Sequence, residues 1–279
     1  MIVRQKQWPR VALILTADAT RRSVSMTDTV SAKFGGRPAG SCARAECDAC
    51  EVRSLTFCGD LGHDAMSAVA AIVSKVDMPA HALLAEEGER SVYVYNVTAG
   101  SAKLYKSLPD GRTQVLGFLL PGDFLGLGDD RLGGLAAESL TRVSVCRFRR
   151  REFEELQDQF PALGRRLLSL AQDEIARSRE QMLLLGRKSA RERLASFLLG
   201  LYDRLEARGE KSDPLPIPMT RTDIGDYLGL TIETVSRTLA VFKRDGIISL
   251  DGVHAVRLLD PERLRSLATG DEADRAAAC

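Results

Sequence analysis

From about residue 70 to 150 the chain shows short apolar runs broken by glycine, and from Pro161 a helical period replaces them. In SVYVYNVTAG, Val92, Val94 and Asn96 alternate with Tyr93, Tyr95 and Val97, the two-residue period of a strand. LPDGRT sets Asp110-Gly111 between two apolar runs, a hairpin signal. With SAKLYKS, QVLGFLLPGDFLG and TRVSVCRF at regular spacing, the pattern predicts an antiparallel β-roll. From Pro161 to Leu185, steps of three and four join Leu168, Ala171, Ile175, Ser178, Met182 and Leu185 into a heptad seam. Arg165, Arg166, Asp173, Glu174, Arg177, Arg179 and Glu180 crowd its other faces, which favours pairing with a second copy over packing on its own domain. Ala171 and Ser178 bury little area, so the seam is weak by itself.

A further amphipathic helix is predicted over residues 189–209, with Leu194, Phe197, Leu198 and Leu201 on one face and Gly209 at its end. The segment MTRTDIGDYLGLTIETVSRTLAVFKRDGIISLDGVHAVRL then reads as two short helices and a hairpin. Thr220 caps the first helix with Asp223 at its third position, and Ile224, Tyr227 and Leu228 form the inner face. Gly229 allows a tight turn, and Thr231 caps a second helix from Ile232 to about Asp245. Ile232, Val235, Leu239 and Phe242 are expected to face inward, which leaves Glu233, Ser236 and Arg237 on the opposite side. Together with Thr231 these are the candidate DNA contacts, for arginine grips guanine, carboxylate accepts from cytosine and serine serves either base. Asp251-Gly252 turns the final hairpin, making a winged helix-turn-helix. A solvated helix face is the plainer alternative. Caps, turn and wing together outweigh it, although residues 217–257 balance five Lys/Arg against five Asp/Glu.

The 279 residues suit two domains, and 44% hydrophobic content suits a folded core. A net charge of +1 means that any DNA contact rests on local geometry. The apolar run in MIVRQKQWPRVALILTA is too short for a membrane span and lacks a clear cleavage context, so neither membrane insertion nor export is expected; Met26 is a plausible alternative start. No nucleophile elbow, phosphate loop or metal-hydrolase motif is present, which argues against an enzyme carrying a DNA-binding tail. The six cysteines are Cys42, Cys47, Cys50, Cys58, Cys146 and Cys279. Clustered cysteines in a large, well-cored chain point to metal rather than disulfides. Cys47-x-x-Cys50 lets two thiolates hold one centre, but spacing alone leaves zinc and an iron–sulfur cluster both open.

From the cysteines to about residue 265 the sequence resembles the CRP/FNR family of bacterial regulators, its FNR-type, FixK-like branch above all. TRTDIGDYLGLTIETVSR resembles the family's recognition motif, VYNVTAGSAKLYKSLPDGRTQVLGFLLPGDFLG its β-roll, and EQMLLLGRKSARERLASFL its dimer helix and junction. The resemblance implies an α+β fold: a jelly-roll domain of the cyclic-nucleotide-binding type, a long dimerisation helix and a winged helix-turn-helix. Divided on that plan, residues 1–41 form a disordered arm, 42–62 the cysteine segment, 63–160 the sensory β-roll, 161–188 the dimer helix, 189–270 the DNA-binding domain and 271–279 a disordered tail. It also implies a cytoplasmic homodimer that reads TTGAT-N4-ATCAA-like palindromes in double-stranded DNA through Glu233, Ser236 and Arg237, and meets RNA polymerase. The family's sensors hold a [4Fe–4S] cluster on cysteines, which here correspond to Cys47, Cys50, Cys58 and Cys146, with low oxygen as the signal. Zinc or thiol-redox control is the alternative, and Cys42 is a possible substitute ligand. Family members that bind cyclic nucleotides carry a glutamate and an arginine where this chain has Leu127 and Ala136, so no cyclic nucleotide is expected. Many members carry an acidic residue near Ser178 that opposes pairing, a repulsion absent here.

Overall fold

A computed structural model describes residues 44–127, 134–209 and 213–270. The predicted arm, Cys42, Cys279 and the C-terminal tail lie outside the described residues. The chain opens with the short helix α1 (Arg44–Asp48), a 3-10 turn (Arg53–Leu55) and α2 (His63–Ile72). The alternating region then forms β1 (Ser74–Met78), β2 (Leu83–Ala85), β3 (Tyr93–Ala99), β4 (Ala102–Ser107), β5 (Thr113–Leu119), β6 (Phe124–Leu125), β7 (Ala136–Ser139) and β8 (Val143–Arg149). These make two four-stranded antiparallel sheets, ordered β1-β8-β3-β6 and β2-β7-β4-β5. The β4–β5 hairpin turns at the expected Asp110-Gly111, where the Leu108 amide donates to the Arg112 carbonyl.

Alternation assigns the two faces of the first sheet to different cores. Tyr95, Val97 and Val145 point into the roll with Val76, Leu119 and Ala137. On the opposite face, Val94 and Phe148 join Phe57, Met66 and Val69, so the N-terminal segment lies over the outside of this sheet. The helix α3 (Arg150–Gln159) completes that outer layer with buried Phe153 and Leu156. Neither α2 nor α3 was expected from the sequence pattern. Both are short, and each buries only one stripe against a sheet surface that the fold creates.

Pro161 opens α4 (Pro161–Arg187), whose 27 residues span about 40 Å. It is followed by α5 (Ala190–Glu206), started by a capping box in which Ser189 and Glu192 exchange hydrogen bonds. Asp123 of the Pro-Gly-Asp-Phe turn accepts from Arg204 and Arg208 on and just beyond α5, at 2.5 and 3.2 Å, fixing the roll to this helix. After β9 (Leu215–Pro216) come α6 (Arg221–Leu228), α7 (Ile232–Arg244), β10 (Ile248–Leu250), β11 (Ala255–Leu258) and the unexpected α8 (Pro261–Thr269). β9, β10 and β11 form a three-stranded wing. One core joins this domain to Val115, Phe118 and Leu120 of the roll. Among the described residues no helix is long and apolar enough to cross a membrane.

Candidate nucleic-acid interface and cysteine site

Capping and glycine chemistry shape the helix-turn-helix as the sequence predicts. The Thr220 hydroxyl accepts from the Asp223 amide at 3.0 Å, and the Asp223 carboxylate accepts from the Thr220 amide at 2.9 Å. Gly229 turns the chain with φ 61°, a left-handed conformation that favours glycine. Thr231 then accepts from the Thr234 amide at 3.2 Å and starts α7. Val235, Leu239 and Phe242 are buried, while Glu233, Ser236 and Arg237 share the exposed side with Thr231. Ile232 departs from the expected inward face and is 45% exposed, because the first residue of α7 lies beyond the edge of the core. The Glu233 carboxyl is held below its usual range by a backbone amide at the helix start and by the Thr231 hydroxyl. The face therefore offers an anion, a hydroxyl and a guanidinium within about one turn of helix.

The four described cysteines gather on the outside of the β1-β8-β3-β6 sheet. Cys47 lies near the end of the short helix α1, Cys50 follows it, Cys58 comes after the 3-10 turn, and Cys146 lies on β8. All four are free thiols, half-buried, with Cys47, Cys58 and Cys146 packed against the outer aromatic core. Burial pushes the Cys58 thiol up to about 11; the Thr56 hydroxyl opposes the rise, and Cys47 and Cys50 add to it. Burial likewise raises Cys146 to about 12, helped by Cys50 and Cys58 and opposed by Lys75. Four sulfurs from separate stretches of chain thus lie within electrostatic reach of one another. Among the described residues, no three His, Cys, Asp or Glu side chains converge tightly enough to hold a single metal ion.

Three contacts hold this segment in place, and sequence reasoning had found none of them. Phe57, beside Cys58, is fully buried among Phe124, Phe148 and Phe153. Gly122 has φ 97°, and a side chain there would press within 2.7 Å of Leu55. Arg166 of α4 donates to the carbonyls of Thr56 and Ser54 at 3.3 and 3.5 Å. The aromatic spacing was visible in the sequence, but nothing local paired Phe57 with rings about 70 to 100 residues away.

Along α4, Leu168, Ile175 and Met182 are 60%, 51% and 64% exposed, and Ser178 is exposed beside them. Ala171 is half-buried. Leu183, outside the predicted seam, adds a further exposed side chain. Leu185 leaves the stripe: it is half-buried against the core of the helix-turn-helix domain, because α4 ends there. Arg193 fastens that end, donating to the Leu185 and Leu228 carbonyls at 2.9 and 2.8 Å.

Residues 192–267 match the model of the Crp-like helix-turn-helix domain, and residues 75–160 match the cyclic nucleotide-binding domain. The chain is 41% identical over 223 residues to the nitrogen fixation regulation protein FixK of Bradyrhizobium diazoefficiens, covering 80% of this chain and 93% of that one. It is 42% identical over 237 residues to the transcriptional activatory protein AadR of Rhodopseudomonas palustris, covering 83% and 97%. It is 37% identical over 233 residues to the transcriptional activator protein FnrL of Cereibacter sphaeroides, covering 82% and 93%. Among solved structures, FixK2 from Bradyrhizobium japonicum superposes with a TM-score of 0.65 at 37% identity, over 70% of this chain and 97% of that chain.

Proposed function

Because this chain belongs to the CRP/FNR family of DNA-binding transcription regulators, and is not an enzyme, we propose that it is a cytoplasmic, dimeric activator that responds to low oxygen through a [4Fe–4S] cluster. The observation that carries the proposal is the convergence of Cys47, Cys50, Cys58 and Cys146 on one sheet face from three places in the fold. Four thiols and no histidine fit a cluster with one thiolate per iron. When bound, the cluster supplies an oxygen-labile cross-link between the N-terminal segment and β8.

The rest follows from this chain's own residues. Phe57 and Arg166 hold the cysteine segment against the roll and against α4. The apolar stripe of Leu168, Ile175 and Met182, bare in the single chain, meets the same stripe of a second copy. Two copies of α7 then face successive major grooves about one helical turn apart. Glu233, Ser236 and Arg237 read each half of a TTGAT-N4-ATCAA-like palindrome, with Thr231 at the phosphate side. The activator role follows that of AadR and FnrL, and an activator acts through contact with RNA polymerase. Leu127 and Ala136 offer no charge to a phosphate, so the roll serves as a scaffold rather than a nucleotide receptor.

The test is protein purified without oxygen. Brown colour, iron and sulfide near about four each per chain, and bleaching in air with loss of DNA binding are expected. A colourless protein that still binds the palindrome would sink the cluster and leave zinc or thiol control. Separately, Arg237→Ala is expected to weaken palindrome binding at least about tenfold with the fold intact. Unchanged specific binding would remove α7 as the reading helix.

A further inference from the structure

Asn96 is the one asparagine in the chain, and it is 2% exposed in the middle of β3. It pairs directly with Cys146 on one side and with Phe124 on the other, so its side chain shares the outer face with the cysteines. Its Nδ2 reaches the Cys58 sulfur at 4.0 Å, while its Oδ1, equally buried, accepts no hydrogen bond among the described residues. The next residue on that face, Val94, is apolar and packs with Phe148. A carboxamide in this setting is costly, since a buried polar group without a full partner has lost its hydration and gained too little in return. A neutral thiol is a weak acceptor and does little to offset that cost. A thiolate is a strong one and would draw the N–H into a charge-assisted bond.

Resting on the iron–sulfur reading above, we infer that Asn96 is a positioning residue of the cysteine site, whose Nδ2 donates to the Cys58 sulfur when that sulfur ligates iron. The bond has two effects. It fixes the amide orientation, because the reverse placement would aim Oδ1 at a negative sulfur. It also withdraws electron density from the sulfur, which raises the reduction potential and slows oxidation by oxygen. Asn96 thereby sets how long the site survives in air, without being a ligand.

A single asparagine makes the test site-specific. Full-length protein is loaded without oxygen, with asparagine side-chain nitrogen as 15N, and the reduced cluster is studied by pulsed electron paramagnetic resonance. A 15N coupling is expected in the wild type. Asn96→Leu, of similar volume, should load the same iron and sulfide, show a lower reduction potential, and bleach in air about tenfold faster or more, the loss expected of one hydrogen bond to a charged group. No 15N coupling in the wild type overturns the inference, whether or not the variant folds. Equal potential and equal bleaching in the two proteins overturn it as well. A wild type that holds no iron overturns instead the cluster reading beneath it, and the two failures are told apart by iron and sulfide content.

Discussion

Phe57 meets Phe124, Phe148 and Phe153 at centroid distances of 5.5, 5.4 and 5.0 Å, all tilted or edge-on, the arrangement that aromatic quadrupoles prefer. It is the residue that pins the cysteine segment, because Cys50 and Cys58 flank it on a stretch with only a 3-10 turn of its own. Phe57→Ala would leave a cavity walled by three rings that cannot all collapse inward. The expected cost is about 3–5 kcal/mol in urea unfolding, with faster proteolysis between Cys47 and Cys58. A loss under about 1 kcal/mol would mean that the segment is held by something else.

At the scale of the element, α4 carries two jobs on one helix. Its first turns bury Leu163 and Leu167 against the roll, and its last turn buries Leu184 against the DNA-binding domain. Residues 172–180 between them are exposed, a stretch that none of the other described residues covers. Ile175→Glu would place two carboxylates face to face across the proposed dimer seam and cost the isolated chain almost nothing. Analytical ultracentrifugation is expected to show a dimer for the wild type and a monomer for the variant, with monomer unfolding changed by less than about 0.5 kcal/mol. An unaltered dimer would move the interface elsewhere. Arg166 and Arg193, near the two ends of the exposed stretch, connect it to the cysteine segment and to α6 respectively.

For the molecule as a whole, the roll and the DNA-binding domain are joined by part-buried polar contacts inside an apolar border. Lys103 on β4 donates to Asp223 of α6 at 2.8 Å, Gln114 donates to the Asp226 carbonyl, and Phe118 packs on Tyr227 and Phe197. Burial acts to raise the Asp223 carboxyl, but the hydrogen bonds from Lys103 and Thr220 outweigh it and hold it below its usual range. Burial acts to lower Lys103, and Asp223 with Glu138 more than restores it. A depressed carboxyl contributes stability that is present above about pH 4 and is lost as pH falls through the lower folded value; a raised lysine contributes below about pH 10 and is lost above it. Lys103→Met is expected to cost about 2 kcal/mol at neutral pH. In urea unfolding the gap from wild type should hold from pH 5 to 9 and narrow below about pH 4. A gap that is flat down to pH 2 would show that the ion pair is not the source.

Local chemistry alone determined the helix-turn-helix: the caps at Thr220 and Thr231, the turn at Gly229 and the wing turn at Asp251-Gly252 involve residues at most a few positions apart, so they are legible in one dimension. The same holds for the strand alternation of the roll and for the apolar stripe of α4. Ile232 and Leu185 escaped that logic, since periodicity marks a face but not where the face runs past the edge of a core or onto a neighbouring domain. The cysteine site depended on tertiary structure. Cys58 and Cys146 come together because the N-terminal segment lies across the outside of a sheet, and that packing is decided by Phe57, Gly122 and Arg166 meeting residues far away in the chain. Asn96 belongs wholly to this second class: along the strand it reads as a polar position in an apolar run, and only strand register sets it between Cys146 and Phe124 with its amide toward Cys58.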